Sequence, residues 1–212
     1  MPQPLIGVLL TVLAAATPTA AATPPIATPP SIALPTGHRV LLDTRCEPAE
    51  WSDAARVAVT AGVDLLLKQD PESVFLCLTM PEGSYGTLDL YLQPAAGEAP
   101  WDLHVSAEVG ERRRGPAGWP EWQFGNHRGW FSPAVPLRGA EVVDGRARLT
   151  FTPVEGREVQ LERSRFGDGP WRVMLELRAL GPARDGTAVY PPGALVDQPA
   201  TWATWSLGAA AR

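Results

Sequence analysis

Residues 118–130 read GWPEWQFGNHRGW and hold three of the chain's eight tryptophans. Trp119, Trp122 and Trp130 stand there with Asn126, His127 and Arg128, and Pro120 with three glycines breaks any helical or strand period. Flat rings beside amide, imidazole and guanidinium groups suit a polyhydroxylated ligand. The rings cover apolar ligand faces, and the polar groups bond hydroxyls. The same tryptophans would equally make a small core under a long loop if they turned inward.

A second group of reactive side chains lies just upstream, in two segments that alternate. In residues 87–93 (TLDLYLQ), Leu88, Leu90 and Leu92 share one face, while Asp89 and Tyr91 take the other. In residues 101–109 (WDLHVSAEV), Leu103, Val105, Ala107 and Val109 lie together, leaving His104, Ser106 and Glu108 opposite. Asp89 and Glu108 are the two carboxylates that glycoside hydrolysis would need, but nothing in their spacing fixes a separation. No G-x-S-x-G, H-E-x-x-H, P-loop or C-x-x-C motif occurs. The expectation is therefore a non-catalytic site with no catalytic residue. Its ligand-binding set is Asp89, Tyr91, His104, Ser106, Glu108, Trp119, Trp122, Asn126, His127 and Trp130, with the loop overhanging the polar face and walling the principal pocket.

Cofactor readings are weaker. Met80 and His104 are an axial pair that haem could use. Calcium could use Asp43, Asp64 or Asp70, although no dense oxygen-ligand loop is present. Two cysteines are too few for a zinc site, so neither a metal nor another cofactor is expected.

The elements that must hold these groups are strands. Alternating or apolar runs at 63–69, 74–80, 87–93, 101–109, 146–152, 157–163, 171–180 and 202–207 are separated by turns rich in Gly and Pro. That pattern predicts an all-β fold, an antiparallel sandwich of jelly-roll type. A single helical turn is expected near residues 48–57. The period of two places Leu90, Leu103, Val105, Leu175 and Leu177 in the core.

The first thirty-six residues carry no charged side chain. Residues 5–16 (LIGVLLTVLAAA) are apolar, too short to span a bilayer, and lead to an A-x-A-like site at Ala20–Ala22. Residues 1–22 are expected to be a secretory signal peptide, although MPQP lacks the usual basic residue. Residues 23–36 (TPPIATPPSIALPT) are expected to be an extended linker, and 37–212 a single domain. The mature protein would then be secreted or periplasmic, without a transmembrane segment. In that compartment Cys46 and Cys77 are expected to form a disulfide. A net charge of −5 disfavours nucleic acid as a partner, and the Arg112–Arg114 run reads as a solvated turn. A monomer is expected.

Residues 43–51 (DTRCEPAEW) resemble the opening of family 9 carbohydrate-binding-module-like sandwiches, where an Asp-initiated segment leads to a Glu-Trp pair, here Glu50-Trp51. The acidic turn at Asp70-Pro71-Glu72, the strand that follows it, Asp-Leu-Tyr-Leu at 89–92 and TWATWS at 201–206 continue the resemblance. It implies a sandwich that binds sugars, in some members with structural calcium; the related DOMON-type sandwiches bind haem or sugars. Residues 110–135 match no binding motif of the family. The expected function is an exported, non-catalytic domain that binds a carbohydrate or another small polar ligand. The alternatives are a structural or interaction domain of the cell envelope and a haem-binding DOMON-like domain.

Overall fold

The computed structural model describes residues 28–125 and 128–208. Two sheets, antiparallel throughout except for the short β1, pack face to face. The first contains β1 (Ser31–Ala33), β5 (Thr87–Gln93), β6 (Trp101–Val105), β7 (Val109–Arg113), β8 (Gln123–Phe124), β13 (Trp171–Leu180), β14 (Gly186–Tyr190) and β15 (Ala203–Ser206). Its order is β1-β15-β13-β5-β6-β7-β8, with β14 continuing the β15 edge of the long β13. The second sheet runs β2 (Ala55–Thr60), β3 (Val63–Gln69), β4 (Ser73–Thr79), β12 (Gly156–Glu162) and β9 (Trp130–Phe131). A separate hairpin of β10 (Leu137–Val143) and β11 (Arg146–Phe151) projects outward. One helical turn, α1 (Arg163–Phe166), follows β12.

The core lies between the sheets and follows the period of two. Leu65 and Leu67 of β3, with Leu76 and Leu78 of β4, meet Leu88 and Leu90 of β5 and Leu103 of β6. Leu90, Leu103, Val105, Leu175 and Leu177 are all fully buried, as the alternation requires. Arg157 also points inward. Its guanidinium is fully buried and donates to the carbonyl oxygens of Gly86 (3.0 Å), Pro133 (2.8 Å) and Tyr85 (2.7 Å), with burial pushing its pKa down to about 10.

The outer face of the second sheet is closed by residues 43–54. Trp51 and Cys46 pack on Leu66, Phe75 and Cys77, and a Cys46–Cys77 disulfide ties this cover to β4. Glu158 of β12 is buried below it and accepts from the backbone N–H of Asp43 (2.7 Å) and Thr44 (2.8 Å). A side chain at Gly156 would meet Cys46 Sγ at 2.1 Å, so the disulfide needs glycine there. The Asp-to-Trp segment that carries the family resemblance is thus a structural lid.

Three expectations change. The linker expected over 23–36 ends earlier, because Ser31–Ala33 pairs in parallel with β15 and Leu34 is buried. Prolines at 30 and 35 masked it, and an edge strand tolerates them. The stretch read as one strand over 101–109 is a hairpin. Ser106 N–H donates to Glu108 O at 2.9 Å, and Val109 returns opposite Val105. The helical turn near 48–57 is a run of turns over 48–53, followed by β2. The signal segment and residues 23–27 lie outside the described residues.

Candidate functional site

The outer face of the first sheet carries most of the reactive side chains. Register places Asp89 of β5 opposite His104 of β6, and Tyr91 opposite Asp102. His104 Nδ1 lies 2.5 Å from Asp89 Oδ1, and its Nε2 lies 2.9 Å from Ser106 Oγ. Arg178 of β13 takes the other oxygen of Asp89 and also reaches Glu176 at 3.0 Å. At the far end Arg112 of β7 donates to Asp102 at 2.9 Å.

Residues 118–122 lie over this face and lead into the edge strand β8. Trp119 packs against Tyr91, with ring centroids 5.9 Å apart, and Trp202 covers Tyr91 from the C-terminal side at the same separation. Tyr91 and Met174 are therefore buried as a small second core. Trp122 is half-buried. Its ring lies 5.3 Å from the His104 ring and 6.2 Å from that of exposed Phe124, and the Arg112 guanidinium sits 4.1 Å from its centroid. Trp130 leaves the face altogether. It enters the main core on β9, where its indole N–H donates to buried Glu111 at 2.6 Å.

Two polar atoms under the loop are buried without a partner among the described residues: Asp102 Oδ1 and Trp119 Nε1. Burial pushes the Asp102 carboxyl up to about 7, against the pull of its hydrogen bond from Arg112. The folded state holds this proton more tightly than the unfolded chain, so stability is full below the ordinary carboxylate pKa and falls as pH rises through the window up to about 7. The upper bound of that loss is about 4 kcal/mol. Asp102→Asn should flatten the fall; urea midpoints at pH 5 and pH 8 check it, and an unchanged slope in the variant would exclude Asp102 as its source.

Of the residues singled out from sequence, Asp89, His104, Ser106 and Trp122 come together. Tyr91 lies beneath Trp119 and Trp202, out of reach, and Trp130 is in the core. Glu108 is exposed on the turn after β6. Asn126 and His127 lie outside the described residues. A cleft of about 500 Å³ is lined by Arg39, Glu72, Gln160 and Arg163, and among the described residues none of 118–125 or 128–130 contributes to its lining.

Sequence reasoning missed Arg112, Asp102, Glu176, Arg178 and Trp202. Asp102 and Arg112 were within reach: Asp102 has the parity of His104, and a strand over 109–113 puts Arg112 on the same face. The Arg112–Arg114 run is not a solvated turn, since Arg112 and Arg113 belong to β7 and only Arg113 is exposed.

The cofactor candidates are dispersed. Met80 packs in the core, while both His104 nitrogens are engaged on the outer face. Asp64 pairs with Arg56 at 2.6 Å and Asp70 with Arg39 at 2.7 Å. Among the described residues no group of three His, Cys, Asp or Glu is placed to hold a metal ion, and no helix is long and apolar enough to cross a membrane.

No family model matches the chain, and no curated protein does. Among solved structures it is similar to a family 9 carbohydrate-binding module from Caldicellulosiruptor kristjanssonii in complex with cellotriose. The identity is 10%, the TM-score is 0.45, and the match covers 85% of this chain and 95% of that one. It is also similar to a proposed carbohydrate-binding protein from Bacteroides uniformis, at 7% identity and a TM-score of 0.49, over 85% of this chain and 100% of that one. The first carries the family name that residues 43–51 resemble. At such values a likeness carries neither ligand nor site across, and the residues of this chain have to supply both.

Proposed function

We propose that the domain is exported and binds a carbohydrate on the outer face of the first sheet, with Trp122 as its platform. The observation that carries this reading is Trp122 itself. Its ring is accessible, braced by Arg112 and continued by exposed Phe124, and it adjoins a row of hydrogen-bonding groups from Ser106 through His104 to Arg178. A stiff aromatic surface beside fixed donors and acceptors suits the two kinds of surface on a pyranose. Export is supported by the apolar leader and by the disulfide, which suits an oxidising compartment.

The test is titration of the oxidised protein with cellotriose, xylotriose and mannotriose, read by tryptophan fluorescence and calorimetry. At least one should bind. Trp122→Ala should weaken that binding at least tenfold while leaving the urea midpoint nearly unchanged, since a half-buried ring leaves no closed cavity. Equal binding by the variant, or none by the wild type at millimolar sugar, overturns the reading.

A further inference from the structure

The row on the outer face has a geometry that ligand binding alone does not require. Asp89, His104 and Ser106 stand in the order carboxylate, imidazole, hydroxyl, at 2.5 Å and 2.9 Å. An ionised carboxylate can only accept, so the proton of neutral His104 sits on Nδ1. The Nε2 lone pair then faces the Ser106 hydroxyl. The other oxygen of Asp89 is held by Arg178, which fixes the carboxylate and through it the ring. Ser106 Oγ also sits 3.2 Å from both the N–H and the carbonyl oxygen of Glu108, so its hydroxyl proton can turn to either that carbonyl or His104 Nε2. Such a constellation is recognised by geometry and roles, whatever the chain order or fold.

Ser106 also lines an open pocket. A space of about 170 Å³ is lined by Tyr85, Thr87, Ser106, Ala107, Val135 and Phe151. Its lining is mostly apolar, with Tyr85 and Thr87 the other hydroxyl-bearing residues in it. Asp89 and His104 sit on neighbouring paired strands, and Ser106 directly follows the second of them, so the row stands on rigid backbone.

We infer that Ser106 is the nucleophile of an esterase site, with His104 as general base and acid, Asp89 as its orienting group, and the adjacent cavity as the pocket for a short acyl chain. Ser106 Oγ attacks the ester carbonyl carbon as its proton passes to His104 Nε2. The tetrahedral intermediate collapses, the carbon–alkoxy bond breaks, and His104 returns the proton to the leaving alcohol. Water, deprotonated by the same nitrogen, then attacks the acyl-serine and releases the carboxylic acid and free Ser106. The net change is ester plus water to acid plus alcohol. That the alcohol is a sugar hydroxyl rests on the carbohydrate reading above; the triad does not.

The oxidised full chain is assayed with 4-nitrophenyl acetate and 4-nitrophenyl octanoate, and labelled with a fluorophosphonate. Saturable acetate hydrolysis is expected, at least tenfold faster than octanoate because the chamber is small. One adduct per chain should map to Ser106. Ser106→Ala and His104→Gln should each lower the acetate rate at least 100-fold, and Asp89→Asn at least tenfold. His104→Gln leaves the serine in place, so loss of its adduct reports activation and not removal of the nucleophile; a melting curve for each variant confirms folding. No adduct at Ser106, or hydrolysis unchanged in Ser106→Ala, overturns the proposal. Acetylated xylo-oligosaccharides test the alcohol. Turnover of the aryl acetate without acetate release from these sugars keeps the triad and removes the sugar ester. Sugar binding with no hydrolysis of either ester removes the triad and keeps the platform.

Discussion

Arg157→Ala should be among the most destabilising single substitutions in the domain, lowering unfolding free energy by about 4 kcal/mol. The reason is the company its guanidinium keeps. Three backbone carbonyls, those of Tyr85, Gly86 and Pro133, point at one fully buried cation and receive 2.7–3.0 Å hydrogen bonds from it. Hydrogen bonds to a charged donor stabilise by more than neutral ones, and buried acceptors left without a donor carry a desolvation cost of their own. Arg157→Met separates the two contributions, since it keeps most of the volume and loses every donor. Urea unfolding of both variants is the measurement. A loss of under about 1 kcal/mol in Arg157→Ala would mean that water replaces the guanidinium without difficulty. The substitution also has a functional reach, because the carbonyl of Tyr85 belongs to a residue that lines the acyl chamber, and Pro133 lies two residues before Val135 in the same lining.

What could be read from the sequence follows from what is local. The period of two assigns faces, so Leu90 and Leu103 went inward and Asp89, His104 and Ser106 outward without any knowledge of pairing. The disulfide needed only two cysteines and an export context. Cross-strand register is not local. That Asp89 stands opposite His104 depends on the connection over 94–100, which no local period specifies, so nothing in the sequence joins Asp89 to His104 and Ser106. Residues 106–109 continue the alternation of β6, which concealed the turn there and put Glu108 on a strand it does not occupy. In β10 a register shift between Leu137 and Gly139 changes the phase of the apolar residues, and no clean alternation remains to be seen. Arg112 was hidden by its neighbours, since three consecutive arginines look like solvent until Asp102 and two indoles are placed around one of them.

Trp130→Ala should cost roughly 3–5 kcal/mol of stability, the range for truncating a buried tryptophan. The loop that begins over the outer face of the first sheet crosses to the second sheet, where Trp130 pairs with Leu161 across β9 and β12. Gly129 makes the crossing: its φ of 71° lies in the left-handed region, and a side chain there would meet Arg165 at 2.7 Å. The indole fills core volume, and its N–H donates to Glu111, which is itself buried and paired with Arg165 at 2.7 Å. Truncation therefore opens a cavity and takes a hydrogen bond from a buried carboxylate. Trp130→Phe keeps most of the ring and loses the N–H, and should cost about 1–3 kcal/mol. Urea midpoints for the two variants measure both contributions. Sugar affinity at saturating folded protein should be the same as wild type in Trp130→Phe, in contrast to Trp122→Ala, because the indole never reaches the outer face. If Trp130→Ala instead stays within about 1 kcal/mol of wild type and loses sugar binding, the ring belongs to the platform, and the division of the loop into one accessible and one buried tryptophan is wrong.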